Sequence, residues 1–317
     1  MQNDEKLAEA VACLARGGLV AIPTETVYGL AADASNELAV RRIFAAKQRP
    51  ATHPLIVHLA GVEQLPRWAR EIPPVALQLA GAFWPGPLTL VLPRTTLATD
   101  AITGGQDTVA LRVPDHPLTL ALLKAFDGGL VAPSANRFGR VSPTTAAHVA
   151  EELGDAVELI LDGGPCRVGL ESTILDLTGA TPEVLRPGGT SLTALAEVLG
   201  FEPRVRQGGS VRVSGTLESH YAPRAGVMLC APEALEETLR KAQTTGQQVM
   251  VLSPSRPEGA TLWRELPADP EQAAPVLYQR LREVDASGAG VAVISLPSPE
   301  GLGLAVRDRL RRAAAPR

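Results

Sequence analysis

LVAIPTETVYGL, residues 19–30, is the stretch whose reading decides the fold. Its first five residues, LVAIP, form an apolar run of the length expected for a buried strand. The remainder, TETVYGL, turns at once into a loop carrying Thr24, Glu25, Thr26 and Tyr28. Open α/β sheets present ligand-binding groups where a buried strand runs out into a polar loop. Helix capping and turn chemistry account for the same residue types equally well.

Working outward, apolar positions Leu7, Ala10, Val11 and Leu14 predict a helix over 4–16 that Gly17-Gly18 ends. Downstream, helices are predicted over 37–47, 62–69, 73–82, 117–125, 144–153 and 191–199. Strands are predicted over 55–59, 89–93, 109–114, 130–136, 158–162, 172–177 and 183–188. Several strands follow one another through short loops instead of alternating strictly with helices. The expected fold is therefore α/β, with a twisted mixed open sheet carrying helices. Residues 201–223 have no sustained period and are rich in Gly, Ser, Pro and Arg, as in an interdomain linker. Beyond them, strands over 227–231, 248–253 and 290–296 alternate with helices over 232–245, 271–286 and 303–314. That is a smaller Rossmann-like α/β pattern, though no G-x-G-x-x-G follows its first strand. The expected organisation is 1–200, a linker over 201–225, and 226–317.

The composition suits such a molecule. Of 317 residues, 45% are hydrophobic and only 3% aromatic, so the core must be aliphatic. The net charge is −4, and residues 1–200 hold 15 basic against 21 acidic side chains. That balance disfavours wholesale binding to nucleic acid or membrane, so any anion site must be a local cluster. Cys13, Cys166 and Cys230 are far apart and form no C-x-x-C pair, which supports neither a zinc site nor a disulfide framework. The start, MQNDEKLAEA, has no signal-peptide character, and no apolar run approaches bilayer length, so the cytoplasm is expected.

The phosphate-loop, kinase, H-E-x-x-H and G-x-S-x-G signatures are all absent. Candidates for chemistry gather instead at strand and helix ends. In KQRPATHPLIVH (47–58), Lys47 and Arg49 sit two residues apart at a helix end, before a proline. Two such cations suit a polyphosphate, Arg as a fork and Lys as a point charge, although cations also complement a helix C-terminus. His53 and His58 flank the next strand. Arg112 lies inside the apolar strand TVALRVP (108–114) and needs an anionic partner, supplied by the protein or by a substrate. APSANRFGRVSP (132–143) places Ser134, Asn136 and Ser142 after a strand, where hydroxyls and backbone N–H groups can meet a phosphate or a base. Ser172 stands at the mouth of a strand in GGPCRVGLESTILDL (163–177), and Arg186 ends another in LRPGG (185–189).

Taken in order, PTETVYGL, K-x-R-P…PLIVH, FWPGPLTLVL, APSAN…SP, GGP…GLESTI and LRPG resemble the YrdC-like domain of threonylcarbamoyl-AMP synthases over about residues 5–200. HYAP (220–223) and GLGLAVRDRLRRAA (301–314) resemble the linker and C-terminal domain of the family's long form. The resemblance implies that L-threonine, bicarbonate or CO2, and ATP with Mg2+ give threonylcarbamoyl-adenylate and pyrophosphate. A downstream tRNA threonylcarbamoyl transferase would use the product to make N6-threonylcarbamoyladenosine. By the family's pattern Lys47 and Arg49 are catalytic and, with Arg186, hold phosphates. His53, Thr108, Ser134, Asn136 and Ser142 complete the ATP site, and Tyr221 reaches over the nucleotide from the linker. Thr26, His58, Arg112, Ser172 and the backbone of Ala132 hold threonine. No protein metal ligands are implied. His53 departs from the Asn common in the family and is expected to vary in charge near neutral pH.

Other readings point elsewhere. A hydrogenase-maturation carbamoyltransferase shares the domain but carries cysteine-rich zinc fingers and an acylphosphatase-like segment, which this chain lacks. A double-stranded RNA-binding module, with weak RNA contact, fits poorly with the acidic first part. A small-molecule sensor could use the same pocket.

Overall fold

The computed structural model describes residues 2–206, 211–215 and 219–316. Of the expected linker, residues 207–210 and 216–218 lie outside the described residues. The chain divides into two compact units, residues 1–138 with 143–216, and residues 139–142 with 217–317. The stretch read as a linker is thus shared between them, and residues 211–215 belong to the first.

The first unit is a ten-stranded mixed sheet. Its strands are β1 (Val20–Ile22), β2 (Gly29–Asp33), β3 (Ile56–His58), β4 (Leu88–Pro93), β5 (Thr108–Arg112), β6 (Leu130–Val131), β7 (Leu159–Ile160), β8 (Thr173–Asp176), β9 (Glu183–Arg186) and β10 (Arg204–Val205). Their spatial order is β10-β9-β8-β4-β5-β3-β6-β2-β1-β7. β3 runs parallel to β5 and antiparallel to β6, so His58 lies beside both Arg112 and Leu130. β4 pairs parallel with β8, which brings Thr89 beside Ile174. The central strands are buried on both faces, as in a sheet covered on both sides. The core is aliphatic, built on Leu30, Ile43, Val57, Leu90 and Leu111, with Tyr28, Phe44 and Trp68 as its buried aromatics.

The second unit is a parallel four-stranded sheet of β11 (Gly226–Cys230), β12 (Val249–Ser253), β13 (Leu262–Glu265) and β14 (Val291–Ser295), in the order β11-β14-β12-β13. Helices Leu235–Gln243, Pro270–Ala286 and Gly303–Ala314 accompany it. The expected fold class is borne out in both units. Three strands escaped the sequence reading. β2 is GLAAD, too small and unbranched to look like a strand. β10 has two residues, and β13 carries charge on half of its positions. A single turn, Asp100–Thr103, also escaped it. No helix among the described residues is long and apolar enough to cross a membrane.

Candidate active site

The helix Glu37–Lys47 begins on an Asn36 cap, whose side chain accepts from Leu38 N and Ala39 N. It ends with Gln48 in the left-handed region, φ 52°, while Arg49 N reaches back to Phe44 O at 2.9 Å. This helix-closing turn buries Lys47 and delivers Arg49 just beyond it. The Lys47 ammonium lies between two main-chain carbonyls, donating to Ser134 O at 2.5 Å and Asn136 O at 2.6 Å. In return Phe138 N donates to Lys47 O at 2.8 Å. Lys47 thus fixes the loop that carries Ser134 and Asn136. Burial first, and then the Arg49 charge, hold the ammonium well below the usual lysine range.

The TETVYG loop is stitched to the same segment. Leu30 N donates to Pro133 O at 2.7 Å and Ala135 N to Tyr28 O at 2.8 Å. A Cβ on Gly29 would stand 3.1 Å from the Ala132 Cβ, so the two backbones meet closely here. Within the loop Thr24 Oγ1 donates to Val27 O at 2.6 Å, so the 2.7 Å contact between hydroxyls is Thr26 donating to Thr24. The lone pairs of Thr26 are left to accept from another group.

Arg49 and Arg186 meet on one residue. Arg49 Nη2 donates to Ser214 Oγ at 3.1 Å and to Pro54 O at 3.0 Å. Arg186 Nη1 donates to Ser214 O at 2.8 Å, while its Nη2 donates to Ser172 O at 2.8 Å. Ser172 Oγ in turn lies 2.7 Å from Thr89 Oγ1. The Arg49 guanidinium lies 5.8 Å from the centre of the Phe138 ring, and the His53 ring meets that ring edge-on at 5.3 Å. Burial, then Arg49 and Arg212, lower the His53 pKa below the ordinary histidine value, so its charge is suppressed near neutral pH. Thr108 lines a groove with Pro54, Gln106 and Ser214.

Arg112 has a protein carboxylate beside it. Its Nη2 lies 2.7 Å from Glu25 Oε2, and both side chains are almost fully buried. Its Nε donates to Gly86 O at 3.1 Å, in the FWPGP stretch. His58 packs against Arg112, and burial followed by the Arg112 charge pushes its pKa down to about 3. It is a neutral ring at every physiological pH. Cys166, burial acting first and Glu25 second, is pushed up to about 12 and is no nucleophile.

The structure therefore gathers Thr26, Lys47, Arg49, His53, His58, Thr108, Arg112, Ala132, Ser134, Asn136, Ser172 and Arg186 into the first unit. Ser142 and Tyr221 belong to the second. There Arg282 Nη2 donates to Val141 O at 2.6 Å, and Tyr221, φ 61°, stacks on Tyr278 at 5.7 Å beside the Arg309 guanidinium. The sequence reading missed Ser214, Gly86, Thr89 and the pairing of Glu25 with Arg112. Ser214 had a faint signal, as a Ser-Gly within an Arg-rich stretch.

A polyphosphate beside Lys47 would raise its pKa again, because an anion beside a depressed ammonium favours its protonated form. Polyphosphate binding here is expected to take up protons over the pH range in which Lys47 of the free protein titrates. Calorimetry in buffers of different ionisation enthalpy measures this, and a Lys47→Met variant should lose the uptake.

Two family profiles match the chain. One, described as "Telomere recombination", covers residues 12–188, and one described as "Threonylcarbamoyl-AMP synthase, C-terminal domain" covers residues 190–315. A threonylcarbamoyl-AMP synthase of Pyrococcus abyssi is 42% identical, with 98% of this chain and 94% of that protein covered. One from Bacillus subtilis is 38% identical, covering 99% and 94%. A crystal structure of P. abyssi Sua5 complexed with L-threonine superposes with a TM-score of 0.92 at 44% identity, covering 97% of this chain and 94% of that one.

Proposed function

We infer what this enzyme does from one premise: the chain belongs to the threonylcarbamoyl-AMP synthase family. It is an enzyme of the nucleotidyltransferase kind. The reaction is L-threonine, bicarbonate and ATP going to threonylcarbamoyl-AMP and pyrophosphate. The observation that carries this reading is the meeting of Arg49 and Arg186 on Ser214. Two guanidinium groups, from a helix end and a strand end, come within reach of a single group, as a polyphosphate would need.

The carbamate of threonine attacks the α-phosphorus of ATP, its new P–O bond forming as the bond to pyrophosphate breaks. Such a displacement needs positioning and charge neutralisation more than covalent help from the protein. Lys47, Arg49 and Arg186 neutralise the phosphates. Within the first unit Ser134, Asn136, His53 and Thr108 complete the nucleotide site. Arg112 takes the threonine carboxylate, and Thr26, neutral His58, Ser172 and the Ala132 backbone surround the rest of the amino acid. Among the described residues no group of three or more His, Cys, Asp or Glu is placed to hold a metal ion. Magnesium enters with the ATP substrate, held by phosphate and water oxygens. The adenylate passes to a tRNA threonylcarbamoyl transferase, in the cytoplasm.

The test is pyrophosphate release with ATP and magnesium, omitting threonine and bicarbonate in turn, with the product identified by mass. Release that requires both supports the reading; release indifferent to threonine overturns it. Arg49→Lys should raise the KM for ATP about tenfold, since an ammonium cannot replace the guanidinium fork. Initial rates across an ATP series check this, and an unchanged KM would remove Arg49 from the phosphate site.

A further inference from the structure

We propose that Glu25 is the group that recognises the amine of the amino-acid substrate and takes its proton. The inference rests on the threonylcarbamoyl-AMP synthase reading and adds a residue to it. Glu25 is 2% exposed and Arg112 4% exposed. Their charged atoms approach to 2.7 Å. Yet neither Glu25 oxygen, nor Arg112 Nη2, nor His58 Nδ1 has a hydrogen bond of acceptable geometry, although all are buried. Buried polar atoms in folded proteins are almost always hydrogen-bonded. Four such atoms around one ion pair mark a place built for a polar ligand.

The chemistry of that ligand follows from the charges. A buried guanidinium beside a buried carboxylate is the mirror of an α-amino acid, which carries a carboxylate and an ammonium on one carbon. The substrate carboxylate pairs with Arg112 and its ammonium with Glu25, each replacing the other member of the protein's own pair. Single-charged molecules, an amine or a carboxylic acid alone, would satisfy one side and leave the other charge buried without its partner. The remaining titratable groups near Glu25 are poor competitors for the ammonium proton. His58 is a neutral ring held at about 3, and Cys166 a thiol at about 12.

The same contact makes the amine reactive. The ammonium gives one proton to the Glu25 carboxylate, leaving a neutral amine with a lone pair. That lone pair forms a bond to the carbon of bicarbonate, and the C–OH bond breaks. The departing hydroxide takes a second proton from nitrogen and leaves as water, so a carbamate remains. Glu25 then returns its proton to solvent. Carboxylation would thus take place on the enzyme.

Binding calorimetry with threonine and with 3-hydroxybutanoate, which keeps the carboxylate and hydroxyl but lacks the amine, tests the assignment. Wild-type protein should bind threonine at least tenfold more tightly than the analogue. In Glu25→Gln that preference should collapse to within about twofold, ATP binding should be unchanged, and product formation should fall at least a hundredfold, in the range that a general base contributes. If Glu25→Gln does not fold, Glu25→Asp keeps the charge but withdraws it by one methylene, and should weaken threonine about tenfold without affecting ATP. Full preference for the amine in Glu25→Gln, or unaltered threonine binding in Glu25→Asp, overturns the proposal. Wild-type protein that binds no threonine at all would instead overturn the synthase reading beneath it.

Discussion

Replacing Lys47 with alanine is expected to cut pyrophosphate formation about a thousandfold, the upper range for removing one charged donor from a site where charge develops. The side chain is 1% exposed, and its ammonium bridges Ser134 O and Asn136 O. Truncation removes the proposed phosphate ligand and also leaves two carbonyls short of a donor, at about 1–3 kcal/mol for each unsatisfied group. Alanine therefore confounds two effects, and Lys47→Met separates them by keeping most of the volume. If the ammonium acts on phosphate, Met should lose nearly as much activity as Ala while melting closer to wild type. Threonine binding should stay within about twofold in both, because the proposed threonine contacts, Arg112 and Ser172, do not include Lys47. Activity retained by Met would mean that Lys47 matters only for filling space under the loop.

Gly188→Ala is expected to produce a large loss of stability. A Cβ there would stand 2.3 Å from Glu171 O, 2.3 Å from Ser172 C and 2.4 Å from Thr173 N. All three are backbone atoms, so no side chain can swing aside. Gly189 N donates to Glu171 O at 2.9 Å and Thr173 Oγ1 to Thr190 O at 2.6 Å, which clamps the two segments together. Overpacking of this kind costs about 1–3 kcal/mol, and more where the backbone must part. At about 2–4 °C per kcal/mol for a unit of this size, the melting temperature should fall by roughly 5–10 °C. The damage also reaches chemistry, since Ser172 is pushed away from Arg186 and Thr89. Threonine affinity should drop alongside the melting temperature. A normal melt with normal threonine binding would show that the two strands separate at no cost.

Much of this was readable in the chain. Lys47 and Arg49 declared themselves by spacing at a helix end, Arg112 by standing in an apolar strand, and Ser134 and Asn136 by following one. Each of these signals is local. What stayed hidden is pairwise and distant in sequence. Glu25 and Arg112 lie 87 positions apart (112 − 25), and the choice between a protein partner and a substrate partner for Arg112 depends on that approach. Ser214 serves both Arg49 and Arg186 from a segment whose composition says only that it is irregular. β2 was lost because its Gly and Ala residues carry no strand preference, although backbone pairing with β1 and β6 holds it firmly.

Residues 211–215 also lie against the sheet with their apolar side chains. Val213 and Val211 pack on Ile56, Val91, Ala110, Ile174 and Leu185. A minimal catalytic fragment would be cut near residue 200, where composition changes. That cut would strip the cover from a continuous aliphatic floor spread over five strands. Exposed patches of this kind drive association between copies. Such a fragment should come out of solution as turbidity or insoluble material, and extending it through residue 215 should keep it dispersed.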